Sequence, residues 1–131
     1  MKQNPTFENE LVIGTPSIDD EGNQYTKTLI GSYVIIPKSY VSTPFELSEQ
    51  EWRCTQEMMH TIKQHLDEVY SPDGYNIGWN VGPVAGQTVG HAHMHIIPRF
   101  ENDGIIIKST RPPKMGNDEI AALAEKFRIS V

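Results

Sequence analysis

The sequence predicts an α+β domain built on an antiparallel sheet. Its strand-like segments are short and rich in β-branched and aromatic residues, and few of its connections are long enough to form crossovers. Two other segments have the apolar spacing of amphipathic helices. At 131 residues, the chain is expected to form one domain over residues 1–131, which can bury about two-thirds of its unfolded surface without disulfides.

The first two strands are predicted in the N-terminal part of the chain, ahead of the long helix. Glu10 to Ile13 and Thr28 to Ile36 carry the β-branched and aromatic residues typical of strands, and the second is interrupted near Gly31 and Ser32. The polar segment from Asp19 to Asn23 is the predicted turn between them.

A long helix is predicted over residues 48–70. Ser48 and Glu51 have the spacing of a capping box, which marks the start of a helix. An apolar stripe at helical spacing follows, formed by Met59, Ile62, Leu66 and Val69. His60 and His65 lie off this stripe, and we expect both to be solvated.

The C-terminal half supplies the remaining elements. Tyr75, Ile77 and Trp79 alternate as on a strand, a second strand is predicted from about Val89 to Pro98, and a short third one covers Ile105 to Ile107. Asn117 or Asp118 can cap a final helix. Its inward-facing residues are predicted to be Ile120, Leu123, Ala124 and Phe127.

Three of the five histidines alternate with apolar residues near the C-terminal third, as His91, His93 and His95. Residues two apart on a strand project from the same face, so the three imidazoles form one row. Neighbouring histidines are roughly 7 Å apart at Cα. The middle ring separates the outer two, which disfavours a shared tetrahedral zinc site. A neutral central imidazole is instead suited to nucleophilic attack on phosphorus or an acyl carbon.

A loop with two glycines and one proline, residues 80–88, precedes the row. Its backbone N–H groups, the Gln87 amide and the Thr88 hydroxyl can form a concave anion site. Phosphoryl and nucleotidyl transfer require such donors, because they stabilise the negative charge on the non-bridging oxygens. The surroundings of the row therefore favour phosphorus as the target.

These segments resemble the signature of the histidine triad (HIT) nucleotide-binding family. The matching residues are Gly82-Pro83-x-Ala85-Gly86-Gln87-Thr88-Val89, His91-x-His93-x-His95 and Ile97-Pro98-Arg99. The lead-in and the Pro-Arg exit are closest to the dinucleoside polyphosphate hydrolase branch, the fragile-histidine-triad type. The resemblance implies a single HIT-like domain with a roughly five-stranded antiparallel sheet, a long and a C-terminal helix packed on it, and pairing as a homodimer.

The same resemblance implies a chemistry. His93 would attack the α-phosphorus of a nucleotide and carry a covalent nucleotidyl intermediate, from which water releases a nucleoside monophosphate. His91 and His95 would orient His93 and contact the phosphate or the leaving group. The phosphate oxygens would be held by Asn80, Gln87 and Thr88. The implied substrates are dinucleoside polyphosphates or related nucleotides, with nucleoside phosphoramidates as the alternative.

Two positions depart from the family pattern. Tyr40 stands where the family usually has a histidine two residues after Pro-Lys, and Ser32 stands where it often has a histidine after glycine. Tyr40 keeps open a second interpretation, a nucleotide-binding module with little catalysis. A third is a metalloprotein that uses two of the three histidines, which is disfavoured because no nearby cysteine or carboxylate completes a ligand set.

The amino-acid composition indicates which kinds of partner and compartment to expect. A formal net charge of −6 argues against a polynucleotide-binding surface, while a small anionic ligand remains compatible. The single cysteine, Cys54, excludes an intramolecular disulfide and fits a reducing compartment. No apolar run approaches the roughly 18 residues of a membrane span, so we expect a cytoplasmic protein with no membrane partner. We expect no tightly bound cofactor, although Mg²⁺ would accompany a polyphosphate substrate.

Overall fold

A computed structural model describes residues 4–17, 30–104 and 115–130. The described residues form five strands, which are β1 (Phe7–Glu8), β2 (Val12–Pro16), β3 (Tyr33–Pro37), β4 (Gly74–Trp79) and β5 (Met94–Arg99). They make one antiparallel sheet in the order β1-β2-β3-β5-β4. The helices are α1 (Glu49–Tyr70) and α2 (Asn117–Phe127), and short 3-10 turns cover Pro44–Glu46 and Pro83–Ala85. The predicted α+β class with a five-stranded antiparallel sheet and two helices is confirmed.

Helix α1 covers one face of the sheet and builds the core there. The core residues are Val12, Tyr33, Ile35, Met94 and Ile96 from the sheet and Cys54, Met58, Ile62 and Leu66 from the helix. Gly14 in β2 permits a close approach of the helix, because a Cβ at this position would come within 2.7 Å of the Met58 sulfur. The buried stripe of α1 is therefore centred on Met58, whereas Met59, which the sequence placed on it, is partly buried at its edge.

The start of α1 is the predicted one. The Ser48 hydroxyl accepts the backbone N–H of Glu51 at 3.1 Å, and the Glu51 carboxylate accepts the backbone N–H of Ser48 at 2.9 Å. This reciprocal capping box satisfies two N–H groups that the first turn would otherwise leave unpaired.

Strand β5 begins at Met94, five residues later than predicted. The hydrogen-bond ladder between β3 and β5 cannot continue past the end of β3, because Pro37 has no N–H to donate. The backbone N–H of Ala92 donates instead to the carbonyl of Val41 at 2.8 Å. The chain before the strand nevertheless stays extended, since Ala92, Met94 and Ile96 are all buried while the histidines between them are half-buried.

Other boundaries also differ from the sequence prediction. The two-residue strand β1 was not predicted, because two residues show no periodicity. Strand β2 begins at Val12 and ends at Pro16, where Glu10 to Ile13 was expected. The predicted turn from Asp19 to Asn23, the start of the predicted strand at Thr28 and the strand Ile105 to Ile107 lie outside the described residues.

Helix α2 is present, but the side chains predicted to face inward are mostly exposed. Ala124 is buried, whereas Ile120, Leu123 and Phe127 are 43%, 41% and 61% exposed. Gly116, and not Asn117 or Asp118, is its N-cap residue. An apolar stripe thus identifies a helix without showing what covers it.

His65 on α1 was expected to be solvated, but the structure places it half-buried. Its ring packs edge-on against the rings of Phe7 and Tyr33, at centroid distances of 5.7 and 6.1 Å. Its Nε2 lies 3.1 Å from the side-chain oxygen of Asn4. The N-terminal segment supplies Asn4 and Phe7 and strand β3 supplies Tyr33, so the pattern of α1 alone could not show these partners. His60 is exposed, as predicted.

Candidate active site

The sheet face opposite α1 forms the floor of a cleft of about 600 Å³, a size typical of small-molecule sites. His91, His93 and His95 line this cleft together with Thr88. Strand register places His95 opposite Val34 of β3, so the row of imidazoles runs beside the cleft face of that strand. Apolar side chains supply much of the wall, namely Pro16, Val34, Ile36, Val89 and Ile97.

The ring of His93 is held in one tautomer. Its Nδ1 lies 3.0 Å from the backbone carbonyl oxygen of His91. A carbonyl oxygen can only accept a hydrogen bond, so Nδ1 carries the proton. The lone pair is consequently on Nε2, the nitrogen that a nucleophilic attack requires.

His91 is anchored to the end of β3. Its Nε2 lies 2.9 Å from the carbonyl oxygen of Pro37 and 3.1 Å from that of Ser39. Both partners are acceptors, so Nε2 of His91 is the protonated nitrogen. The end of β3 therefore positions the His91 ring, and the backbone of His91 in turn orients the ring of His93.

His95 packs edge-on against His93, with ring centroids 4.8 Å apart and an interplanar angle of 78°. Burial, and secondarily the neighbouring His93, lowers the pKa of His95 below its ordinary value. This direction favours the neutral form at pH 7. The arrangement places an uncharged imidazole directly beside the ring that carries the free lone pair.

We expect the half-buried His95 to make folding stability fall in acid. Because its pKa is lower in the folded protein than the value of about 6.5 in the unfolded chain, the unfolded chain binds the proton more strongly. The contribution to the free energy of unfolding is retained above that value and declines as the pH falls through 6.5 toward the folded pKa. Urea unfolding at a series of pH values should show this decline.

The variants His95→Gln and His60→Gln separate this effect from other titrations. His95→Gln should flatten the acid decline, because it removes the group whose pKa differs between the two states. His60→Gln changes an exposed position on α1 and should keep the wild-type pH dependence. An unchanged decline in His95→Gln would contradict the expectation.

The loop before the row has a tightly turned backbone. Gly82 and Gly86 have φ values of 84° and 97°, which glycine adopts readily and other residues rarely do, and the 3-10 turn Pro83–Ala85 lies between them. The backbone N–H groups of Gly86 and Gln87 are directed inward, to the carbonyls of Pro83 and Gly82. They help to hold the turn.

Gln87 fastens this loop. Its side-chain oxygen accepts the N–H of Gly82 at 2.8 Å, and its Nε2 donates to the carbonyls of Val89 at 3.0 Å and Ser42 at 2.7 Å. The amide thus bonds to backbone on both sides of the loop and to the segment after β3. Its predicted contact with a phosphate oxygen stays a prediction.

The two other predicted phosphate contacts lie at different places. Thr88 lines the cleft with the histidines. Asn80 is exposed, does not line the cleft, and lies with its amide beside Gly86, where a Cβ would meet Asn80 Nδ2 at 3.2 Å. The structure therefore brings Thr88, but not Asn80, to the imidazole row.

The cleft also includes residues that the sequence did not single out as contacts. Thr15 and Ser17 come from the end of β2, and Ser32 directly precedes β3. Ser32, Val34 and Ile36 alternate along the sequence, which is the signal that could have placed them on one face. Tyr40 lies at the side of the row, 79% exposed, with its ring centroid 5.1 Å from that of His91.

Within residues 4–17, 30–104 and 115–130, no group of three or more histidine, cysteine, aspartate or glutamate side chains is arranged to hold a metal ion. Neither α1 nor α2 combines the length and apolar character needed to cross a membrane. Arg99 forms an ion pair with Asp103 and also bonds to Asn76.

The chain has many relatives. The profile of the HIT domain matches residues 30–102. An uncharacterised HIT-like protein of Methanocaldococcus jannaschii is 52% identical over 116 residues, which is 87% of this chain and 82% of that protein. A bis(5′-adenosyl)-triphosphatase of Dictyostelium discoideum is 33% identical over 97 residues, 66% of this chain and 62% of that protein.

Two further similarities extend this set. An adenosine 5′-monophosphoramidase of Schizosaccharomyces pombe is 32% identical over 98 residues, 74% of this chain and 70% of that protein. The crystal structure of a hypothetical histidine triad nucleotide-binding protein from Sulfolobus tokodaii has a TM-score of 0.61 and 28% identity, and covers 92% of this chain and 76% of that one.

Proposed function

This chain belongs to the HIT domain family, and on that premise we propose that it hydrolyses nucleotides at the α-phosphate through a covalent nucleotidyl intermediate on His93. The observation that supports this proposal best is the 3.0 Å contact between His93 Nδ1 and the carbonyl oxygen of His91, which places the lone pair of the neutral ring on Nε2. Nucleotide hydrolases among its relatives, a bis(5′-adenosyl)-triphosphatase and an adenosine 5′-monophosphoramidase, support the reaction class.

The first step forms a bond between His93 Nε2 and the α-phosphorus. The bond from phosphorus to the leaving group breaks, and the electron pair departs with an anhydride oxygen or an amide nitrogen, which takes up a proton where its own basicity requires one. Thr88 is the candidate donor to the phosphate oxygens, because the N–H groups of Gly82, Ala85, Gly86 and Gln87 bond within the loop. His91 acts as a positioning residue, since it holds His93 through its own carbonyl.

The second step returns the enzyme to its starting state. Water attacks the phosphorus, the bond to His93 Nε2 breaks, and the water loses one proton. A nucleoside monophosphate leaves, and His93 recovers its neutral form. The neutral ring of His95, next to His93, is the candidate to receive or supply a proton during these steps.

The substrate class follows from this chemistry. Dinucleoside polyphosphates and nucleoside phosphoramidates both place an α-phosphate next to a leaving group, and the proposal gives dinucleoside polyphosphates first place. Mg²⁺ would be bound chiefly through substrate phosphate oxygens and water, with no metal held tightly by the protein. We further propose that the protein works as a cytoplasmic homodimer, as the family resemblance implies.

A substrate panel with product identification tests the proposal. Purified protein is incubated with a dinucleoside triphosphate, a dinucleoside tetraphosphate and an adenosine phosphoramidate, and the products are separated. We expect a nucleoside monophosphate from at least one of them. Rapid quenching in alkali, in which phosphohistidine bonds are stable, should trap labelled nucleotide on the protein. Binding of nucleotides without any turnover would instead favour the nucleotide-binding module.

Tyr40 is the residue that favours the second function, a nucleotide-binding module with little catalysis. Its phenol can donate one hydrogen bond, whereas a histidine at this position could carry positive charge beside the phosphate. We expect Tyr40→His to raise turnover about ten-fold at slightly acidic pH, the low end of general acid–base effects. Rates for one substrate are compared from about pH 5 to pH 8.

The matched variant is Tyr40→Phe, which keeps the ring beside His91 and removes only the hydroxyl. We expect it to bind nucleotide as the wild type does and to stay slow at acidic pH. Identical pH profiles for the wild type, Tyr40→His and Tyr40→Phe would show that the position is structural.

A further inference from the structure

Within the described residues, the buried hydroxyl of Ser32 has no hydrogen-bond partner. The residue is 3% exposed, and its Oγ is a buried polar side-chain atom for which the described part of the chain supplies no hydrogen bond. Burying a hydroxyl without a partner costs free energy, so such groups are rare in native proteins. Ser32 also lines the cleft of the histidine row, so a molecule bound there is the candidate partner once the hydroxyl turns toward it.

The position of Ser32 along the cleft indicates which part of a ligand would reach it. Tyr33 pairs with Ile96 and Val34 with His95, so Ser32 lies at the level of Ile97. Ile97 is two same-face steps beyond His93, about 13 Å along the strand. The backbone carbonyl of Ser32 accepts the N–H of Ser17 at 2.9 Å, which fixes this end of the cleft to the chain after β2.

The surroundings of Ser32 suit a flat, mostly apolar group with a polar edge. Val34 and Ile97 on the floor and Pro16 at the side present apolar surface to the cleft. Sites of this kind combine apolar walls with a few placed polar groups that fix orientation. In a nucleotide whose α-phosphorus lies at His93, the base is the part that extends farthest from the reacting atom.

We propose that the Ser32 hydroxyl hydrogen-bonds to the nucleobase of the bound nucleotide and helps to determine base preference. This proposal rests on the proposed function, because it takes the phosphate to lie at His93. A serine can donate and accept, so it can serve either kind of group on a base edge. In the free protein the burial of this hydroxyl lowers stability, and a hydrogen bond from the ligand would compensate for it.

Two measurements on Ser32→Ala test the proposal. Binding of AMP, GMP, CMP, UMP and ribose 5-phosphate is measured by calorimetry or, for weak ligands, by NMR titration. For the nucleotide that the wild type prefers, we expect Ser32→Ala to weaken binding about threefold to tenfold. Binding of ribose 5-phosphate, which has no base, should not change. Urea unfolding without ligand should show the variant to be at least as stable as the wild type.

The control is Thr61→Ala, which removes an exposed hydroxyl on α1 that bonds to the carbonyl of Glu57, remote from the cleft. It should bind every ligand as the wild type does. If Ser32→Ala binds all four nucleotides like the wild type, or weakens ribose 5-phosphate equally, Ser32 does not contact the base and the inference is wrong. A ligand-free variant less stable than the wild type would show a structural role and also overturn it. If the wild type binds none of the nucleotides, both this inference and the proposed function are wrong. Binding without hydrolysis leaves the Ser32 test intact.

Discussion

Replacing His93 by alanine is expected to lower nucleotide turnover by a factor on the order of 10³ or more, as in catalytic groups that act as a unit. The variant lacks the imidazole whose Nδ1 bonds to the carbonyl of His91 and whose ring packs against His95 in the cleft. No covalent intermediate can then form. Folding should survive, because the His93 ring is half-buried at the cleft surface and is not part of the core under α1.

Steady-state rates and quench trapping measure this effect together. His93→Ala should give neither fast product formation nor labelled protein, while its thermal unfolding stays close to that of the wild type. His60→Ala is the matched control, since His60 is an exposed histidine of α1 on the other side of the sheet. Hydrolysis of a dinucleoside polyphosphate and a phosphoramidate by His93→Ala at wild-type rates would refute the mechanism.

The part of this site that local sequence pattern could predict is the imidazole row. Alternation on an extended chain is a property of the backbone itself, so His91, His93 and His95 share a cleft even though β5 begins only at Met94. The capping box at Ser48 was equally predictable, because both partners lie within one helical turn. Contacts between residues that are close in the sequence can therefore be predicted from their spacing.

The contacts that orient the row could not be predicted in the same way. His91 bonds to the carbonyl of Pro37, 54 positions away, and Gln87 bonds to that of Ser42, 45 positions away. Both acceptors are backbone carbonyls, which every residue possesses, so no side-chain pattern marks them. The same limit applies to His65, whose partners come from the N-terminal segment. These pairings depend on the tertiary fold.

The second large effect is expected when Gln87 is replaced by alanine. Three hydrogen bonds of its amide connect the loop before the row to itself and to Ser42. Loss of these bonds should let the loop, and with it Thr88, move relative to His93. Misplacement of catalytic groups by about 1 Å can cost on the order of 10² in rate. We therefore expect Gln87→Ala to lower kcat by about that factor, with a smaller change in KM.

The experiment can separate a positioning role for Gln87 from the direct phosphate contact that the sequence predicts. If Gln87 positions the loop, hydrogen exchange of the Gly82 amide should become faster in Gln87→Ala even without nucleotide, because the bond that protects it is gone. Gln64→Ala, at an exposed glutamine of α1, should leave exchange and kcat unchanged. Unchanged Gly82 exchange together with weaker binding of AMP would instead identify Gln87 as a ligand of the phosphate. The outcome matters for the mechanism, because a positioning Gln87 leaves Thr88 as the candidate donor that stabilises the transition state.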